Sequence, residues 1–283
     1  MLRAPTDAEI DAYRRDGAVH LPGVIGADWV ARLAAAVDRV MADPGRLRIH
    51  HEFQDAAKGS GRFFEAEFMW LDDADFRALV LDSPHAALAA RAMGSATATF
   101  FYDQLFVKEP GTSAPTRWHQ DLSYWPVRGE QIVTVWMPLD VVDTASGAVS
   151  YVRGSHRWPA LYAPAAFNED PADPLEARKR AAQASEAAVP DIDADPARYD
   201  IVTWASRPGD VILHHPRTIH GAPGNRTQAR RRRAVTTRWV GDDAVYHHGS
   251  YSFIDAHVAI LPPFEAVEGR PLAGSLFPRV LPR

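Results

Sequence analysis

Residues 116–139 read TRWHQDLSYWPVRGEQIVTVWMPL, a His-x-Asp pair (His119 and Asp121) with an apolar, strand-like run from Gln131 to Leu139 close behind. In a strand, residues i and i+2 point to the same face. At the end of a strand, His119 and Asp121 would therefore offer an imidazole nitrogen and a carboxylate oxygen to one ion. Two ligands hold a metal weakly, and the best third is His220, in Thr218-Ile219-His220-Gly221-Ala222. Two histidines and one carboxylate on one face of an octahedron leave the opposite positions open. That is the arrangement in which non-haem Fe(II) activates O2.

Working outward, the same strand chemistry recurs. Ala98–Lys108 (ATFFYDQLFVK), Gly147–Val152, Pro208–His214 and Ala234–Val240 are rich in β-branched, aromatic or apolar residues and bounded by turn residues. Ahead of them, Thr6-Asp7-Ala8-Glu9 reads as a capping box opening a short helix that stops at Gly17. Ala18–Pro22 reads as a strand, Ala27–Ala42 as an amphipathic helix, and Asp75–Met93 as one or two helices. Helices first and short strands afterwards predict a mainly β protein with flanking helices, a β-sandwich or jelly roll. No linker interrupts the chain, so residues 1–283 are expected to form one domain, helical over about 1–95 with a β core over about 96–245. Trp158–Tyr199 breaks the pattern, being rich in Ala, Asp, Glu and Pro with a helical centre from Pro174 to Ala188. It is expected to be an insertion over the sheet, a candidate lid spanning about 158–200.

Composition narrows the chemistry. The chain has no cysteine, which excludes disulfides, iron–sulfur clusters and thiolate-bound zinc, so any metal must use imidazole and carboxylate. A net charge of -5 argues against binding nucleic acid or anionic membranes through bulk charge. Met1–Arg15 lacks the apolar stretch of a signal peptide, and no apolar run is long enough to span a bilayer. The expectation is a soluble cytoplasmic protein acting on a small molecule, without a nucleic-acid or membrane partner.

A singly positive Fe(II) site with three open positions suits a bidentate 2-oxo acid plus O2. The distal carboxylate of such an acid needs a cation, and an Arg fork suits it better than Lys. Arg230, Arg231, Arg232 and Arg233 lie on or just before the strand that follows His220. Alternation puts Arg232, Ala234, Thr236 and Arg238 on one face, and the small Ala234 and Thr236 mark that face as the inner one. The bland alternative for the run of arginines is a solvated strand end.

Five segments in order, WHQDLSYWPV, QIVTVWMPLD, SGAVSYVRGSH, PGDVILHHPRTIHGAPGN and RRRRAVTTRWVGDD, resemble the phytanoyl-CoA dioxygenase family from about Thr99 to Asp243. That family consists of Fe(II)/2-oxoglutarate oxygenases with a double-stranded β-helix (jelly-roll) core. The resemblance implies His119, Asp121 and His220 as iron ligands, with Fe(II), 2-oxoglutarate and O2 as the cofactor set. It places the oxoglutarate-binding Arg at Arg232 when counted from the strand anchor Ala234, and at Arg231 when counted from His220. A loop absorbs an insertion more readily than a strand register does, which favours Arg232. Trp136 matches an aromatic that flanks the co-substrate. Gln104 and Lys108 lie where polar strand residues approach co-substrate or substrate. The implied reaction is hydroxylation, or a related two-electron oxidation such as desaturation, of a C–H bond, with release of succinate and CO2. Halogenating relatives carry a small residue where this chain has Asp121.

The other histidines read as structural. His50 and His51 are expected in a surface loop, His156 in a turn, and His214 and His215 in packing or behind the ligands; His247 and His248 could be loop residues or could approach the pocket. Candidates for substrate contact are Arg62–Trp70, Tyr124-Trp125 and the Trp158–Tyr199 insertion, which would favour a partly apolar small molecule. Two rival readings remain, a zinc hydrolase on the same ligands and a non-catalytic, ligand-binding jelly roll.

Overall fold

The computed structural model describes residues 1–53, 61–165, 179–181, 186–249 and 251–282. The chain opens with α1 (Asp7–Asp16), where Thr6 and Glu9 form the expected capping box and Gly17 closes the helix at φ +80°. Strand β1 (Ala18–Leu21) and α2 (Ala27–Ala42) follow, with Leu33, Ala36, Val37 and Val40 on the buried helix face. Next come β2 (His50–Phe53), β3 (Phe63–Glu67), α3 (Ala74–Asp82) and α4 (His85–Met93). The expected Asp75–Met93 helical region is split because Ser83 precedes Pro84, which forces it out of the helical backbone region (ψ 168°).

The remaining strands are β4 (Ala98–Lys108), β5 (Thr116–His119), β6 (Val127–Arg128), β7 (Ile132–Pro138), β8 (Ser150–Val152), β9 (Ile201–Thr203), β10 (Val211–His214), β11 (His220–Ala222) and β12 (Arg232–Val240). Four short strands close the chain: β13 (Val245–Tyr246), β14 (Phe264–Glu265), β15 (Ala273–Gly274) and β16 (Arg279–Leu281). The major sheet runs β1-β10-β7-β12-β4-β3-β2, with β16 pairing the start of β4. The minor sheet runs β5-β11-β8-β9. Every ladder is antiparallel. The two sheets form the jelly roll that the sequence predicts.

Alternation on β7 and β12 decides what lies on each side of the major sheet. Val133, Val135 and Met137, with Val235 and Trp239, join Leu33, Val37, Leu79 and Leu88 in the large core beneath the helices. Trp136 and Ala234 face the other way and pack with Val149, Tyr151 and Ala222 between the sheets. The helices thus cover one face of the major sheet, and the space between sheets is left for a site.

One sequence expectation changes here. The polar stretch around His50 and His51 is strand β2, paired with β3 in register His51↔Glu65, rather than a loop. A four-residue His-His-Glu-Phe strand has no apolar alternation to betray it. The expected helical centre Pro174–Ala188 lies largely outside the described residues. The described flanks of the insertion are apolar enough to pack: Trp158, Tyr162, Val189 and Tyr199 surround Ile192 against Val152 and Ile219 of the minor-sheet region. No helix among the described residues is long and apolar enough to cross a membrane.

Candidate metal centre and its pocket

Strand β5 ends at His119, Gln120 stays extended (φ -110°, ψ 130°), and Asp121 opens a 3-10 turn. The extended Gln120 is what keeps His119 and Asp121 on one side, as the i/i+2 rule requires. His220 begins β11 and stands directly opposite His119 in the antiparallel ladder. At the next residue the ladder crowds against Gly221, where a Cβ would lie 3.1 Å from the Thr116 carbonyl oxygen and 3.2 Å from the Trp118 ring. A glycine lets the strands close on each other there. Ligand atoms of His119, Asp121 and His220 lie within 4.8 Å of one another, and all three residues are buried.

Backbone carbonyls fix the histidine tautomers. His119 Nδ1 donates to the Arg117 carbonyl (2.7 Å) and His220 Nδ1 to the Thr218 carbonyl (2.9 Å). Each Nε2 is then a lone pair, 3.5 Å and 3.7 Å from Asp121 Oδ1. The other oxygen of Asp121 accepts from Thr134 Oγ1 (3.0 Å) and from His214 Nε2 (3.2 Å). This leaves Oδ1 turned to the two imidazoles. Burial pushes the Asp121 pKa up, but the attraction of His220 and the contacts with His119 and His214 outweigh it and hold the carboxyl well below its usual range. Burial, with His119 beside it, keeps His220 neutral, its pKa well below the ordinary histidine value. A neutral His220 and an ionised Asp121 are the protonation states a divalent cation needs.

The three residues line one part of a cavity of about 280 Å³, close to the range of small-molecule sites. Arg232 lines the cavity too. It is buried, donates through one terminal nitrogen to the Gly147 carbonyl (2.9 Å), and its Nε has no partner among the described residues. Burial depresses its pKa to about 10. A guanidinium buried without a carboxylate is costly unless an anion completes it, so Arg232 fits the distal carboxylate of a 2-oxo acid. Arg231 points the other way, into exposed ion pairs with Asp38 (3.0 Å) and Glu109 (2.8 Å).

Trp136 and Gln104 line the cavity as well. Lys108 is placed elsewhere. Its ammonium donates to the Pro223 carbonyl (2.9 Å) against the Phe63 ring, and it does not reach the cavity wall. Of the aromatic candidates, Phe63, Tyr124 and Trp125 face the cavity, whereas Phe64, Phe68 and Trp70 belong to the core under the helices. Trp158, Tyr162 and Tyr199 pack in the outer cluster. His156 lies in a 3-10 turn as expected, and His215 is buried away from the triad. His247 donates to Glu268 in an exposed loop and does not reach the pocket.

Within the candidate segment Arg62–Trp70 the sequence analysis did not single out Glu65 and Glu67, and it missed His51 and His257; all four line the cavity. On β3, Phe63, Glu65 and Glu67 share the inward face, in register with Lys108, Phe106 and Gln104 of β4. The alternation in FFEAE could have given the face, but acids normally mark the solvent side, which inverts the inference.

The phytanoyl-CoA dioxygenase (PhyH) family model matches residues 13–234. A probable alpha-ketoglutarate-dependent hypophosphite dioxygenase of Stutzerimonas stutzeri is 30% identical over 124 residues, 44% of this chain and 39% of that protein. The multifunctional dioxygenase prhA of Penicillium brasilianum is 25% identical over 251 residues, 83% of this chain and 73% of that one. The match thus spans about two-fifths of the first of these relatives and nearly three-quarters of the second. Among solved structures, the non-haem alpha-ketoglutarate-dependent epimerase SnoN from nogalamycin biosynthesis superposes with a TM-score of 0.72 at 27% identity, covering 97% of this chain and 95% of that one. The carbocyclase SnoK from the same biosynthesis gives 0.72 at 26% identity, covering 98% and 96%.

Proposed function

The chain belongs to the phytanoyl-CoA dioxygenase family of iron- and 2-oxoglutarate-dependent oxygenases, and from that premise we propose that it oxidises a C–H bond of a small, partly apolar molecule. His119, Asp121 and His220 would hold Fe(II), and Arg232 would hold the 5-carboxylate of 2-oxoglutarate. The observation that carries this reading is the pairing of a buried His-Asp-His cluster with a buried guanidinium that meets no carboxylate among the described residues, in one cavity. A zinc hydrolase would use the three ligands but has no use for Arg232.

When bound, iron with 2-oxoglutarate and O2 supplies the oxidant for the C–H bond, releasing succinate and CO2. The protein's own contribution is geometric and electrostatic. Arg117 and Thr218 carbonyls aim the two imidazoles, and Thr134 and His214 aim Asp121. Arg232 orients the co-substrate from its far end, and Trp136 walls the cavity. The solved relatives named as an epimerase and a carbocyclase widen the set of outcomes to C–H cleavage without oxygen insertion. Residues 1–283 work as one domain in this reading, since α2, α3, α4 and the major sheet share one core.

The test is anaerobic titration of the apo-protein with Fe(II) and 2-oxoglutarate, following the visible metal-to-ligand charge-transfer band. A band in the wild type that is absent in Asp121→Ala supports the assignment. Metal binding without a band in the wild type refutes it and favours the hydrolase.

A further inference from the structure

On the extended backbone that brings His119 and Asp121 to the cavity, the residues between and before them point the opposite way. Neither Trp118 nor Gln120 lines the cavity. Gln120 is fully buried, and the chemistry proposed above gives its side chain no part. Its amide nitrogen donates to the Arg217 carbonyl (2.7 Å), in the turn that leads into His220, and its oxygen accepts from the backbone N–H of Tyr162 (3.0 Å). Arg217 closes the ring of contacts by donating through Nη2 to the Trp158 carbonyl (2.6 Å). Trp158 and Tyr162 both belong to the first flank of the insertion between β8 and β9.

Two further bonds fasten the insertion to the same stretch. Trp118 Nε1 donates to Asp193 Oδ1 (2.9 Å) on the insertion's second flank. The Tyr124 hydroxyl donates to the Ala165 carbonyl (3.0 Å), while its ring meets His119 edge-on at 5.7 Å. The insertion also contributes buried Lys179 to the cavity wall, so its docking fixes that wall relative to the metal ligands. Gln120 differs from Trp118 and Tyr124 in joining three segments at once: the ligand strand, the turn before His220 and the insertion. A carboxamide supplies both a donor and an acceptor without charge, and burial makes either partner costly to leave unpaired.

We propose that Gln120 is a positioning residue through which the docked insertion holds His119, Asp121 and His220 in metal-binding register. The inference rests on the metal assignment above and makes the insertion part of the metal centre. Without the Gln120 amide, the turn that delivers His220 loses its side-chain tie to the strand carrying the other two ligands, and the insertion loses its hold on both.

The experiment measures the Fe(II) affinity of the full chain by anaerobic competition with a chelator, with the urea midpoint of each apo-variant showing that it is folded. Gln120→Leu, which fills similar space without hydrogen bonds, should bind Fe(II) about tenfold or more weakly. Tyr162→Pro removes the N–H that Gln120 accepts, outside the cavity lining, and should weaken binding about fivefold. Tyr162→Ala removes the same side chain but keeps the N–H, and should stay within about twofold of wild type. In the double variant Tyr162→Pro should add nothing to Gln120→Leu, since both break one link. Wild-type affinity in a folded Gln120→Leu, a Tyr162→Pro affinity no weaker than that of Tyr162→Ala, or losses that multiply in the double variant overturn the proposal. If Gln120→Leu does not fold, the two Tyr162 variants decide alone. A wild type that binds no Fe(II) refutes the metal assignment itself; with wild-type binding intact, missing coupling sinks only this inference.

Discussion

Arg231 and Arg232 are adjacent in sequence and serve opposite sides of the molecule: Arg231 pairs with Asp38 and Glu109 at the surface, and Arg232 lies buried in the cavity. Replacing Arg232 with Ala should weaken 2-oxoglutarate binding by about 2 kcal/mol or more, roughly thirtyfold, because a buried charge-assisted contact is lost. Arg231→Ala should leave that affinity unchanged and cost less than about 1 kcal/mol of stability, as exposed ion pairs do. Titration of the charge-transfer band with 2-oxoglutarate separates the two, and the opposite ranking would reassign the carboxylate partner.

Thr134 and His214 both donate to Asp121 Oδ2. Thr134→Val and His214→Phe should each lower iron affinity about 10–100-fold while 2-oxoglutarate affinity of the metal-loaded protein stays near wild type. Competition with a chelator measures the first quantity. Unchanged iron affinity in both variants would mean that Asp121 is oriented by the fold alone.

Gly147 sits at φ +89°, its carbonyl receives Arg232, and a Cβ would lie 2.9 Å from the Pro223 carbonyl oxygen. Gly147→Ala should cost about 1–3 kcal/mol of stability and raise the KM for 2-oxoglutarate by displacing Arg232, with a smaller effect on iron affinity. A KM unchanged at reduced stability would show that Arg232 is held by other contacts.

His85 and His215 are buried, and burial depresses both to about 3 from an ordinary 6.5. Between pH 6.5 and 3 the unfolded chain takes up protons that the folded chain does not. Their burial therefore costs nothing above 6.5, and stability falls as the pH drops below it. The slope is up to about 1.4 kcal/mol per pH unit for each histidine. Urea denaturation midpoints at a series of pH values should show this decline, and His85→Gln should flatten it. An identical slope in the variant would remove His85 from the account.

The clustering of His119, Asp121 and His220 was legible because an i/i+2 pair on extended backbone shares one face, a rule that sequence obeys. The orientation of Arg232 was legible for a similar reason, since Ala234 and Thr236 leave space on one face of a strand. Glu65 and Glu67 were hidden because sequence analysis assigns acids to the wet side of a strand, and here the inner side is a polar cavity. Lys108 shares the inward alternation of Gln104, yet its long stem carries the ammonium past the cavity to Pro223. Alternation places a Cβ, not the end of a flexible chain.

The first strand, β1, finds its ladder partner in β10, and β4 is completed by β12 and by β16 at the other end of the sequence. β2, β3 and β4 pair in chain order, but the rest of the major sheet joins distant segments, so loop-closure entropy is spent there before ladder bonds repay it. During synthesis the N-terminal helices would emerge with their apolar faces uncovered and wait for the last third of the chain. Folding of this protein should thus be slow and late, with the interval before β10 and β12 appear as its period of greatest exposure to aggregation.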